Sequence, residues 1–374
     1  MLATLNSRHR TVANTLAFGR EMSTNLMTAL PPSSIPIFTA VNSYREWRRK
    51  AYDEKKSVGF VATMGALHDG HVSLVRRSLV ENDLTVVSIF VNPAQFAPHE
   101  DLTTYPRTLA HDLEVLESLK HAVEDSPNVS RSPSALFLPS VYDMYPSGIT
   151  QDKAAQQGTF VEVKGYSHQM EGSRRPDFFR GVATVVTKLF NVIEPSRTYF
   201  GQKDIQQALL LRRMTRDLLL SHPTPESLFI VPTARDSKSN IALSSRNAYL
   251  TPAEYNHAAP TLYAALQAAK SSWGSGSTKS QAVTAAHGLV ERKVQELLSA
   301  QSEIALKLDY IEMNDPDSFE IISDNVTAAS WDMPGGAKPC RNRPVILSGA
   351  MWVGKTRLID NIILGDASQL GILS

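Results

Sequence analysis

Apolar residues fall into two alternating patterns along the first two thirds of the chain. Short β-branched runs of strand length occur at "SVGFVAT" (residues 57–63), "LTVVSIFVN" (84–92), "ALFLPS" (135–140), "RTYFG" (197–201) and "SLFIVPT" (227–233). Between them, "HVSLVRRSLVEN", "TLAHDLEVLESLK", "GVATVVTKLFNVI" and "DIQQALLLRRMTRDLLL" carry apolar residues at helical spacing. Strands that alternate with helices require a parallel sheet covered on both faces and joined by right-handed crossovers. The expected fold class is α/β, a doubly wound Rossmann-like domain over residues 34–232, with ligands gathering at the carboxyl ends of its strands. The Ser/Pro-rich "DSPNVSRSPS" reads as a loop insertion.

Beyond Pro232 the pattern changes. "IALSSRNAYLTPAEYNHAAPTLYAALQAAK" predicts a loop and one long helix, "SQAVTAAHGLVERKVQELLSA" a second helix, and "ALKLDYIEM" and "RPVILSGAMWV" strands. A smaller α+β domain over residues 233–374 is expected, with residues 1–33 as a tail. Residues 349–356 also match G-x-x-x-x-G-K-T, a P-loop pattern that would make Lys355 a phosphate-gripping lysine. A P-loop needs a full helix after the lysine and further strands of the same sheet, and only 18 residues follow Thr356. Residues 354–356 are therefore read as a turn leaving a strand, with Lys355 in solvent.

Composition narrows the function. With 374 residues and 42% apolar content the chain can bury a substantial core. Lys+Arg 38 against Asp+Glu 37 leaves a net charge of +1, too little basic excess to hold nucleic acid. No apolar run reaches bilayer length, so no membrane partner is expected. The single Cys340 excludes an internal disulfide and a cysteine-rich zinc site, which fits a reducing, cytoplasmic setting. The first twenty residues contain Arg8, Arg10 and Arg20 and no acid, a composition shared by disordered tails and mitochondrial presequences.

Four constellations carry chemistry. "TMGALHDGH" (63–71) places Gly65, His68 and His71 where a strand turns into a helix, and two imidazoles beside a helix N-terminus suit a triphosphate. A metal reading is poorer, because no acidic or cysteine ligands stand nearby to complete a site. "SIFVNPAQF" ends another strand with Asn92 and Gln95, uncharged amides able to bind hydroxyls and a carboxylate, or else a polar turn closed by Pro93. "YFGQKDIQQ" supplies Gly201, Lys203, Asp204 and Gln207: the lysine suits phosphate, and Asp204 either caps the helix or serves a ribose or hydrated magnesium. "ALSSRN" offers Ser244, Ser245 and Arg246 to polyphosphate from the opposite side, or is a helix-start loop.

The segments "VATMGALHDGHVSLV", "VSIFVNPAQF", "YPRTLAHDLEVL", "EGSRRPDFFRGVATVVTKLFNVIEPSRTYFGQKDIQQ" and "LSSRNAYLT", in this order, closely resemble the pantothenate synthetase (pantoate–β-alanine ligase) family of the His-x-Gly-His nucleotidylyltransferase superfamily. The resemblance returns at "RLIDN". It implies an ATP- and Mg2+-dependent homodimeric ligase that joins pantoate to β-alanine through pantoyl adenylate. By position, His71 matches the family's catalytic histidine, and residues 64–71, Met64, Gly65 and His68 among them, its ATP-binding turn. Gly201, Lys203 and Asp204 match the second nucleotide segment, and Leu243, Ser244, Ser245 and Arg246 the third, with His68, His71, Lys203 and Arg246 expected to act on the triphosphate. Gln95 and Gln207 match the pantoate-binding glutamines, with Asn92 beside them.

The chain departs from the family's pattern at Gln202, commonly glutamate; at Asn240, usually glycine; at Phe178, commonly histidine; and by insertions at 126–134 and 325–342. Asparagine tolerates the left-handed conformation a glycine would take there. The rival readings are another nucleotidylyltransferase of the superfamily and a catalytically silent module of the fold.

Overall fold

The computed structural model describes residues 30–97, 102–123, 126–333 and 342–372. The presequence-like stretch, Cys340 and part of the second insertion lie outside the described residues. The chain runs through β1 (Ile37–Phe38), β2 (Val58–Thr63), β3 (Leu84–Ile89), the hairpin of β4 (His121–Val123) and β5 (Ser126–Arg131), then β6 (Pro133–Phe137), β7 (Arg197–Gly201) and β8 (Leu228–Val231). Six of these form a sheet ordered β1-β6-β3-β2-β7-β8, in which every neighbouring pair is parallel. The five runs read as strands from their apolar pattern are all in it. The sixth, β1, is two residues long and too short for a pattern to reveal.

Side chains alternate across this sheet with period two. Val58, Phe60, Val86, Ala135 and Phe137 face the helices Phe178–Ile193 and Ile205–Asp217, whereas Val61, Val87 and Leu136 face Asp69–Glu81 and Leu109–Ser118. Burial on both faces is why the strands read as continuous apolar runs rather than alternating ones. The chain lays β3 and β6 to one side of β2 and then returns to lay β7 and β8 on the other. The direction of winding thus reverses at β2, and the crevice at the carboxyl ends of β2 and β7 is where such a sheet leaves room for a ligand.

Past β8 come β9 (Leu306–Asn314), β10 (Val345–Val353) and β11 (Thr356–Leu364), an antiparallel sheet ordered β11-β10-β9 and packed against the helices Pro260–Gly274 and Lys279–Ser299. Two expectations are corrected. The long helix breaks into Pro252–His257 and Pro260–Gly274, because Pro260 has no N–H to continue the ladder and its ring excludes the preceding turn's carbonyl. The first insertion supplies β5, which pairs with β4, rather than a loop. "RLIDNIIL" belongs to a full strand, β11.

The P-loop pattern resolves as a two-residue hairpin turn. Val353 pairs with Thr356 across Gly354 and Lys355, Gly354 takes φ +55, and Gly349 lies mid-strand between Ile311 and Leu262. No helix follows the lysine, so no backbone N–H groups converge there on a phosphate. Among the described residues no helix is long and apolar enough to cross a membrane.

Candidate active site

The ends of β2, β3, β7 and β8 open into one cleft of about 1060 Å³. Met64, His68 and His71 line it after β2, Asn92 and Gln95 after β3, Gly201, Lys203, Asp204 and Gln207 after β7, and Leu243 to Arg246 in the loop beyond β8. Gly65 lies beneath the first turn instead. It takes φ +83, and a Cβ on it would stand 3.0 Å from Asp112 Oδ2 and 3.2 Å from Ile89.

The helix Asp69–Glu81 starts with His68 as its N-cap and His71 at the third helical position. His68 Nδ1 accepts the N–H of Gly70 (3.1 Å), and His71 Nδ1 accepts the N–H of His68 (3.4 Å). This is a capping box built from two imidazoles, where serine and glutamate are usual. An Nδ1 that accepts a hydrogen bond carries no proton, so each neutral ring holds its proton on Nε2 and offers it as a donor. Burial, reinforced by Lys203, pushes His68 down to about 4. Burial, then His68 and Lys203, pushes His71 down to about 3. At neutral pH the pair is uncharged, with ring centres 4.2 Å apart.

The turn before the helix is held by a residue that pattern reading does not single out. Asp112, 1% exposed, accepts the N–H groups of Ala66 (3.1 Å) and Leu67 (2.8 Å) and the hydroxyl of Thr108 (3.2 Å). A buried carboxylate is costly unless it is hydrogen-bonded in this way. Its one sequence signal is an acid on the same helical face as Leu113 and Leu116.

Strand β11 fastens the segments that follow β7 and β8. Arg235 forms a two-pronged ion pair with Asp360 (2.6 and 2.9 Å) and lies 3.9 Å over the ring of Tyr263. Burial raises the Asp360 carboxyl, and Arg235 opposes that. Asn361 Nδ2 donates to the carbonyls of Gln202 and Lys203, both at 2.9 Å, and its Oδ1 accepts from Gln202 Nε2 at 3.3 Å. Arg357 grips Glu171 with two bonds of 2.7 and 2.9 Å and also bonds Asp309. "RLIDN" is thus a row of anchors whose partners lie on distant segments.

The departures take definite forms. Asn240 adopts φ 60, the left-handed conformation expected of asparagine in a glycine's place. The ring of Phe178 receives the Arg175 guanidinium at 3.8 Å. Asp204 makes no capping bond, and Lys203 Nζ instead donates to its carboxylate at 3.2 and 3.3 Å. Asn92 is 1% exposed, and its amide bonds Gln95, Gly181, Ala94 and Tyr145.

A helix N-terminus with a histidine turn, set where a doubly wound sheet reverses direction and faced by a lysine and a Ser-Ser-Arg loop, defines a nucleotide-binding α/β protein. The family described as pantoate-beta-alanine ligase matches residues 36–363, and the chain belongs to it. It is 39% identical over 328 residues to the pantothenate synthetase of Herpetosiphon aurantiacus (88% of this chain, 99% of the relative). It is 39% identical over 343 residues to the pantoate–beta-alanine ligase of Saccharomyces cerevisiae, with the same coverage of 88% and 99%. The solved pantothenate synthetase of Thermus thermophilus superposes with a TM-score of 0.67 at 35% identity, covering 88% of this chain and 99% of that one. The Francisella tularensis pantoate-beta-alanine ligase, complexed with beta-gamma ATP and beta-alanine, superposes with a TM-score of 0.61 at 29% identity, covering 88% and 98%.

Two measurements check this geometry. The ordinary imidazole value is 6.5 and the folded values are about 4 and about 3, so between them the unfolded chain binds more protons and stability falls as pH drops below 6.5. Denaturant titrations from pH 7 to pH 4 should show a shallower acid loss in a His68→Asn/His71→Asn double variant than in wild type; equal slopes would contradict the depressed values. Asn361→Leu, which leaves two carbonyls unpaired, should cost about 1–3 kcal/mol in urea unfolding, and an unchanged midpoint would contradict the anchoring role.

Proposed function

We propose that this chain condenses pantoate with β-alanine at the expense of ATP, giving pantothenate, AMP and pyrophosphate through pantoyl adenylate. The observation that carries the reading is the pair of neutral imidazoles, each with a backbone-fixed Nε2–H donor, at a helix N-terminus in a cleft that also presents the uncharged amides of Gln95 and Gln207. The activity printed for the yeast relative and the ligands of the Francisella structure support it.

A carboxylate is a poor acylating agent, and adenylation splits one difficult substitution into two easier ones. One carboxylate oxygen of pantoate bonds to the α-phosphorus of ATP as the bond to the bridging oxygen breaks, and pyrophosphate leaves with that electron pair. The amine of β-alanine then attacks the acyl carbon, the acyl–oxygen bond breaks, and AMP departs as the amine loses a proton. The first step gathers negative charge on the leaving pyrophosphate, so fixed donors aimed there stabilise the transition state more than the ground state. His68 and His71 supply two of them without charge, while Lys203, Ser244, Ser245 and Arg246 line the same cleft. Gln95 and Gln207 hold pantoate by hydrogen bonds and leave its carboxylate nucleophilic. Met64, Gly201 and Leu243 border the nucleotide, and Gly65 shapes the turn beneath it.

No group of three or more His, Cys, Asp or Glu placed to hold a metal occurs among the described residues. Asp204, the carboxylate of the second nucleotide segment, would be the residue to hold a hydrated Mg2+ beside the triphosphate. When bound it neutralises phosphate charge. We further place the enzyme in the cytoplasm as a homodimer, with residues 233–374 covering the cleft.

The test supplies purified protein with ATP, magnesium, pantoate and β-alanine, omitting each in turn. Pyrophosphate release should require pantoate, and AMP release should require β-alanine as well. AMP formation indifferent to β-alanine would overturn the ligase reading.

A further inference from the structure

We infer that Tyr145, outside the cleft, is a positioning residue: through Asn92 it fixes which end of the Gln95 amide faces the substrate. The consequence for catalysis rests on the ligase reading, but the orientation itself does not.

The polarity follows from two backbone groups that cannot be reversed. The N–H of Ala94 lies 3.4 Å from one side-chain atom of Asn92, and the carbonyl of Gly181 lies 3.2 Å from the other. The first atom must be Oδ1 and the second Nδ2, because an N–H needs an acceptor and a carbonyl needs a donor. The Tyr145 hydroxyl, 2.6 Å from Asn92 Oδ1, therefore donates to it. The second hydrogen of Asn92 Nδ2 points at a Gln95 side-chain atom 3.1 Å away, which must be Oε1. Gln95 is left with its NH2 group on the outer side, 3.0 Å from Met64 Sδ on the cleft wall. It thus presents a donor, matched to an oxygen of a carboxylate or hydroxyl.

The lengths of the bonds show which one locks the relay. The Ala94 contact is long for an N–H···O bond, whereas the Tyr145 contact is short for an O–H···O bond. Without the phenol, Asn92 Oδ1 keeps only the weaker partner. Tyr145 is itself fixed: it is 3% exposed, and Lys188 Nζ lies 3.9 Å over its ring while donating to the Met144 carbonyl at 2.6 Å. Burial holds its hydroxyl well above the ordinary value, so it stays a donor across the working pH range. The helix carrying Gly181 comes so close that a Cβ there would stand 2.2 Å from the Ala94 carbonyl, which keeps both backbone anchors in register.

The test is Tyr145→Phe, which keeps the ring and removes the donor, read in two ways. In the ligand-free protein, the Gln95 side-chain amide signals in 15N spectra should shift and broaden; unchanged signals would overturn the relay, whatever reaction the cleft performs. In steady-state assays the KM for pantoate should rise about tenfold while that for ATP stays within about twofold. In a Gln95→Leu background, Tyr145→Phe should have no further effect on the pantoate KM. A full effect persisting in that background, or an equal rise in both KM values, would overturn the relay. Absence of pantoate-dependent turnover in wild type would instead count against the ligase reading and leave the spectral result to decide the relay.

Discussion

Two backbone N–H groups at the start of the helix Asp69–Glu81, those of His68 and Gly70, have no carbonyl within the helix to bond, and the site is organised around what accepts them. The acceptors are the Nδ1 atoms of His71 and His68. Capping a helix with imidazoles instead of a hydroxyl and a carboxylate stabilises the turn much as a capping box does, but it also commits each ring to one tautomer. Each ring caps the helix with one nitrogen and leaves the other to face the cleft. A carboxylate cap would offer the cleft no donor and would repel a polyphosphate.

This arrangement needs a rigid base, which comes from elements remote in sequence. Asp112 holds the turn before the helix by its backbone amides, so the rings start from a fixed place. From the opposite side, Asp360 and Asn361 on β11 pin the Arg235 loop and the Lys203 segment. Segments following β7 and β8 are thereby referred to one another through β11 by hydrogen bonds to backbone and a charge-assisted pair, which tolerate less slack than apolar contact. Burial keeps the imidazoles uncharged, and Lys203 adds to it by opposing protonation of both.

The sheet was legible because strands buried on both faces must be apolar throughout, and the histidine turn because its glycines and imidazoles are neighbours in sequence. Asp112, Asp360, Asn361 and Tyr145 were not legible, since each acts on a group far along the chain and often on backbone, which has no sequence signature. The P-loop look-alike failed for the converse reason: its residue types match, but the helix and sheet that give a P-loop its geometry are replaced by a β-turn. The short helix Pro252–His257 and the strand β5 were not legible, because each lies in a polar stretch rich in turn-forming residues and β5 is held by pairing with another strand.

His68 and His71 stand ready as neutral Nε2–H donors before any ligand arrives. Imidazole 15N–1H correlation spectra of the ligand-free protein between pH 8 and pH 5 test it directly. The expected result is two rings with the Nε2–H pattern and no midpoint near 6.5; an Nδ1–H pattern in either ring, or a midpoint near the ordinary histidine value, would contradict it.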